Sequence, residues 1–259
     1  VEATRRHLEV VRARWNDRRM FEQAQEEANR RAFTGECYTC RDTGYAAGML
    51  NTPCNACARG RAIVAERRQQ QVRAIVQAAN IPPRASAYTF SSYPHPDQVQ
   101  AYEDILRFLE HWDGCEGLIL KGDYGRGKTG LLVSAMKVIA EHWVLTDRHT
   151  YRMLFTTGAD LLDYLRSGFE DHSYMHRLQR VKTIPLLVID DLGVEQPTEW
   201  MIERLFVIFN ERYNHNLPTF MSTNYGTEQL KPRIGERVVD RLLETCQIID
   251  VCGPNLRLE

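Results

Sequence analysis

The sequence predicts an α/β fold: a parallel sheet with helices on both faces, preceded by a small helical module that bears cysteines. Three observations carry this. Over residues 98–251 short apolar runs alternate with helix-length stretches, the pattern of strands buried on both sides. A glycine-rich loop joins the first of those runs, Leu118-Ile119-Leu120, to a helix. Two Cys-x-x-Cys pairs stand in a basic N-terminal third that ends at Asn80-Ile81-Pro82-Pro83.

Residues 1–33 are rich in Arg, Glu, Gln and Ala without Pro or Gly, and read as a helix. Leu8, Val11 and Trp15 share one face, which packs on its own domain or docks on a partner. Cys37-Tyr38-Thr39-Cys40 and Cys54-Asn55-Ala56-Cys57 then bracket a span of hairpin length. Four thiolates in this pattern suit tetrahedral Zn²⁺ and leave no open position, so the expected role of Cys37, Cys40, Cys54 and Cys57 is structural, with redox dithiols as the alternative. Arg59 to Ala79 returns to helical composition and stops at the prolines, where the domain boundary falls: 1–80 helical and zinc-binding, 81–259 nucleotide-binding. Tyr88 to Pro94 reads as a non-helical lead-in, and Gln98 to Trp112 as a helix. Beyond the loop, strands are expected at Thr150–Thr156, Pro185–Asp190, Thr219–Thr223 and Gln247–Val251. Helices are expected at Ala159–Arg166, Thr198–Tyr213 and Ile234–Thr245.

Composition bounds the rest. A hydrophobic share of 43% is ordinary for a globular protein, and no apolar run spans a bilayer. No signal-sequence pattern opens the chain, which begins at Val1. With seven cysteines, four of them in paired metal-ligand spacing, a reducing cytoplasmic setting is expected. The net charge of −1 neither points to nor excludes nucleic acid. Residues 1–80, however, hold 14 Arg, no Lys and nine acidic residues, so the N-terminal third is basic and the remainder acidic.

Gly122-Asp123-Tyr124-Gly125-Arg126-Gly127-Lys128-Thr129 is a phosphate loop of the form G-x-x-x-x-G-K-[ST], followed by Gly130. Its glycines let consecutive N–H groups turn inward around phosphate oxygens, and the next helix adds its unpaired N–H groups. Lys128 is expected on the β- and γ-phosphates of ATP or ADP, and Thr129 on Mg²⁺. Leu186 to Asp191 is a buried strand ending in two carboxylates: Asp190 for Mg²⁺ and Asp191 as general base to water, unless the pair merely caps a turn. Asn224, after Phe220 to Thr223, could orient the water or sit in a turn. Arg237 and Arg241 lie four apart on one helix face. They pair with Glu236 or Asp240, or one reaches into a neighbouring copy's nucleotide site as an arginine finger.

From Ile81 onward these motifs, in this order, resemble the DnaC/IstB group of AAA+ ATPases: Ile81-Pro82-Pro83-Arg84, the phosphate loop, Val188 to Gly193, Asn210-Glu211-Arg212-Tyr213, Ser222-Thr223-Asn224 and Gly235 to Leu242. The resemblance implies an AAA+ core with sheet order 5-1-4-3-2, flanked by helices, with little or no helical lid. The group contains replicative helicase loaders and transposition helper ATPases. The N-terminal cysteine module is similar to that of DnaI-type loaders, which implies a hexameric DnaB-family helicase, single-stranded DNA and self-association through the ATP site as partners, with no membrane. Arg166 to Lys182, with Phe169, Tyr174, Arg177, Arg180 and Lys182, has the basic and aromatic mix of a single-strand contact, or is a solvated helical surface. The alternatives are an IstB-like transposition helper, a P-loop small-molecule kinase, or a nucleotide-gated binding module without turnover.

Overall fold

The structure is a computed structural model that describes residues 37, 43–45, 52–92, 99–148, 150–194 and 196–256. The helix expected over 1–33, the ligand Cys40, and Tyr93 and Pro94 of the lead-in lie outside the described residues. The chain divides into two compact units, Val1–Gln70 and Gln71–Glu259.

In the first unit, among the described residues of the expected hairpin, Tyr45 and Pro53 form an antiparallel bridge. Gly44 makes its turn at φ 81°, and a Cβ there would lie 2.8 Å from Ile63 Cδ1, so only glycine fits. The Cys54 N–H donates to the Gly44 carbonyl at 2.8 Å. Helix α1 (Ala58–Gln77) begins one residue after Cys57.

The second unit is built on five parallel strands: β1 (Gly117–Lys121), β2 (Met153–Thr157), β3 (Leu186–Asp190), β4 (Thr219–Thr223) and β5 (Cys246–Asp250). Their order is β2-β3-β4-β1-β5, the one the family resemblance implied. Alternate residues supply two core layers, as the period of two requires. Leu118, Leu120, Phe155, Val188, Phe220 and Ile249 face one layer. It is closed by α2 (Pro83–Ser86), α3 (Val99–His111) and α4 (Lys128–Leu145). Ile119, Leu154, Leu187, Ile189 and Met221 face the other. That layer is covered by α5 (Gly158–Ser167), α6 (Tyr174–Thr183), α7 (Glu199–Asn214), α8 (Thr227–Ile234) and α9 (Glu236–Thr245).

Helix starts follow local chemistry. Thr157 caps α5 by accepting from the Asp160 N–H at 3.0 Å, and Thr198 caps α7 by accepting from Met201 at 3.2 Å. Two differences from expectation stand out. Phe90–Ser92 forms a 3₁₀ turn rather than an irregular lead-in. The helix expected over Ile234–Thr245 is α9, and a helix the sequence reading did not include, α8, precedes it across Gly235 at φ 96°. Among the described residues no helix follows β5, and none is long and apolar enough to cross a membrane.

At the edge of the sheet away from the phosphate loop, Arg212 is 1% exposed. It donates to Thr219 Oγ1 (2.8 Å) and to the carbonyls of Pro218 (2.6 Å), Ile184 (2.8 Å) and Val181 (3.1 Å). Burial without a carboxylate partner pushes its guanidinium down to about 9. It remains charged at neutral pH and ties the end of α6 to the start of β4.

Candidate nucleotide-binding site

The carboxyl ends of β1, β3 and β4 meet at one edge. Register brings them level: Leu120 of β1 stands beside Ser222 of β4, and Ile189 of β3 beside Met221. One residue further, side chains replace backbone as the link. Ser222 Oγ donates to Asp190 Oδ1 at 2.5 Å and accepts from the Asp191 N–H at 2.8 Å.

The loop after β1 turns through Gly125 (φ 75°) and Gly127 (φ 78°), and Gly127 leads directly into α4. The loop is held from outside as well. The Leu256 N–H donates to the Gly125 carbonyl at 2.9 Å, and the Val251 N–H to Lys121 at 2.6 Å. A Cβ on Gly125 would lie 1.8 Å from Asn255 Oδ1. Nothing in the local sequence marks this packing of the segment after β5. Arg126 pairs with Asp123 within the loop.

Lys128 is buried, and its ammonium donates to the Gly122 carbonyl (2.8 Å), the Asp123 carbonyl (2.9 Å) and Asn224 Oδ1 (2.6 Å). Desolvation lowers its pKa, opposed by the charges of Asp191, Asp190 and Asp123. Asn224 Nδ2 is buried with no hydrogen-bond partner, a donor waiting for an acceptor. A phosphate oxygen would satisfy it and draw on Lys128.

Thr129 Oγ1 donates to Asp190 Oδ2 at 2.7 Å. Burial raises the Asp190 pKa, while the hydroxyls of Ser222 and Thr129 pull it back. A buried carboxylate beside a threonine hydroxyl is a donor set suited to Mg²⁺. Asp191 follows at φ 53°, a left-handed backbone that few non-glycine residues adopt. Lys128, Thr129, Asp190, Asp191 and Asn224 are therefore gathered as the sequence anticipated. Ser222, which links two of them, was quoted in the sequence only as part of a motif.

The two arginines of α9 differ. Arg241 donates to Asn210 Oδ1 (2.7 and 3.1 Å) and to the Arg237 carbonyl (3.0 Å), and lies over Phe206 and Tyr213. Arg237 is exposed, with its guanidinium 5.8 Å from the Phe206 centroid.

In the span from Arg166 to Lys182, Phe169 is 53% exposed and stacks on Tyr174 at 4.1 Å. Trp200 lies 6.5 Å from Phe169, and Arg166 sits over it at 4.9 Å. Trp200 was not among the expected contact residues, being far away in sequence. Two of the expected basic groups have other engagements. Arg177 binds Asp171, Ser173, Ser167 and the Tyr164 carbonyl, and Lys182 pairs with Glu211 at 3.3 Å. Arg180 is exposed.

The sulfurs of Cys37, Cys54 and Cys57 lie within 4.8 Å of one another, with Cys37 and Cys54 at 3.8 Å. Tetrahedral zinc with bonds near 2.3 Å sets its sulfurs about 3.8 Å apart, so the described part of the set fits the ion.

A family described as IstB-like ATP binding protein matches residues 61–259. The replicative helicase loader DnaI of Bacillus subtilis is 26% identical over 178 residues, 62% of this chain and 55% of DnaI, so the chain spans little more than half of that relative. The replicative helicase loader DnaC of Escherichia coli K12 is 27% identical over 191 residues, 71% of this chain and 74% of DnaC. A crystal structure of the DnaC helicase loader superposes with a TM-score of 0.58 at 27% identity, covering 66% of this chain and 100% of that one.

Proposed function

The chain belongs to the family of IstB-like ATP-binding proteins, and from that premise we propose that it is an AAA+ ATPase that loads a hexameric DnaB-type replicative helicase onto single-stranded DNA. The observation that carries the ATPase reading is the pair of side-chain bonds at the start of α4, Lys128 to Asn224 and Thr129 to Asp190. Likeness to DnaI and DnaC supports the loader reading.

Lys128 and the loop from Gly122 to Gly130 bind the phosphates. Thr129 and Asp190 would hold Mg²⁺, which would supply charge neutralisation for the phosphates. Asn224 turns its free amide donor to the γ-phosphate and the attacking water. Asp191 takes the proton of that water on a carboxylate oxygen. Of the two α9 arginines, Arg237 is the finger offered to an adjoining copy, because Arg241 is committed to its own chain. Phe169, Tyr174 and Trp200, with Arg166 and Arg180, form the surface for stacked bases and phosphates. Residues 1–80, where Cys37, Cys40, Cys54 and Cys57 would hold zinc, bind the helicase.

Two measurements test this. ATP hydrolysis should rise with single-stranded DNA and vanish, together with ATP binding, in Lys128→Ala. The full chain should capture the replicative helicase of its own host, and a chain lacking residues 1–70, the first compact unit, should not. Capture of a transposase instead would favour the transposition-helper reading, and a phosphorylated small product a kinase.

A further inference from the structure

One arginine outside every motif reaches the hydrolysis site. Arg233, in the last turn of α8, donates from a terminal guanidinium nitrogen to the Gly193 carbonyl at 2.9 Å. Its guanidinium carbon lies 3.9 Å from the ring centroid of Tyr225, the closest cation–aromatic contact among the described residues. Gly193 ends the turn that begins with Asp190 and Asp191, and Tyr225 directly follows Asn224. The same side chain therefore grips the carboxylate turn and the asparagine turn.

The carboxylate turn needs holding. Asp191 stands at φ 53° and Gly193 at φ 92°, and a Cβ on Gly193 would lie 2.9 Å from Leu230 Cδ2. A left-handed non-glycine backbone persists only where neighbours over-determine it. On the β4 side of the turn, Leu192 N–H donates to the Ser222 carbonyl and Thr223 Oγ1 to the Leu192 carbonyl, both at 2.9 Å. On the α8 side, Arg233 closes the turn at Gly193.

We propose that Arg233 is a positioning residue for hydrolysis: it fixes the Asp191 turn against the Asn224 turn so that base and amide address one water. The inference rests on the hydrolysis reading above and adds a residue to that site. Arg233 touches neither phosphate nor water in this role. It acts through the Gly193 carbonyl and the Tyr225 ring.

The distinguishing readout is a split between turnover and affinity. In the full chain with single-stranded DNA, Arg233→Ala should lower kcat by about tenfold or more while the Kd for a fluorescent ATP analogue changes less than about twofold. Arg233→Lys keeps a donor for Gly193 but loses the planar stack, and should recover part of kcat. Wild-type kcat in Arg233→Ala overturns the inference. So does a parallel loss of kcat and affinity in both variants, which is the signature of general unfolding. A parent chain that binds ATP without turnover overturns the hydrolysis reading, and this inference with it.

Discussion

Ser222→Ala removes one oxygen from the centre of the site, and its cost follows from two distances. The hydroxyl is fully buried, donates to Asp190 Oδ1 at 2.5 Å and accepts from the Asp191 N–H at 2.8 Å. A hydrogen bond to a charged group contributes about 1.5–3 kcal/mol, and an orphaned buried N–H costs about 1–3 kcal/mol. Alanine introduces no clash and almost no cavity, so those two losses dominate and the variant should be destabilised by about 3–4 kcal/mol. Urea unfolding at pH 7, followed by tryptophan fluorescence, to which the buried Trp143 contributes, reads this as a lowered midpoint at unchanged slope. A cycle with Asp190→Ala isolates the carboxylate bond and should return a coupling of about 1.5–3 kcal/mol. Asp190 also loses a group that favours its ionised form, so Mg²⁺-dependent nucleotide binding should weaken together with stability. A loss below about 0.5 kcal/mol, or additivity with Asp190→Ala, would refute the reasoning.

Burial holds the Asp190 carboxyl above its ordinary value of 3.8, so the folded chain binds that proton more tightly than the unfolded chain. Stability without metal should then fall as pH rises from 3.8 through the raised value, and Asp190→Asn should flatten that part of a Tm-against-pH profile; an unchanged profile contradicts it. Arg237→Ala should lower assembly-dependent hydrolysis with ATP affinity intact, whereas Arg241→Ala, which breaks the bonds to Asn210, should also lower the melting temperature. A strong zinc chelator should abolish helicase capture while leaving ATP binding intact; joint loss of both would argue against separate roles.

The sheet was legible because its strands are short apolar runs with polar ends. β4 (Thr219–Thr223) has the expected bounds, and β3 and β5 shift by a single residue. The phosphate-loop residues and the Asp190-Asp191 pair were legible because their chemistry demands fixed spacing. Helix α8 was not, since it has eight residues, carries Pro232 and buries only Leu230 and Ile234. Ser222, Arg233 and Trp200 escaped for another reason. Each acts across a turn or between helices, and contacts such as Arg233 to Gly193, 40 residues apart, leave no periodic trace.

The strap after β5 gives the chain a built-in place to listen. Cys252 is exposed and follows Val251, whose N–H is bound to Lys121 at the root of the phosphate loop. Three residues on, Asn255 and Leu256 rest on Gly125. A thiol-reactive dye on Cys252, with Cys115, the other exposed thiol among the described residues, replaced as Cys115→Ser, would sit at the seam between loop and strap. Its brightness would follow nucleotide arrival and departure in real time, without a label on the nucleotide itself.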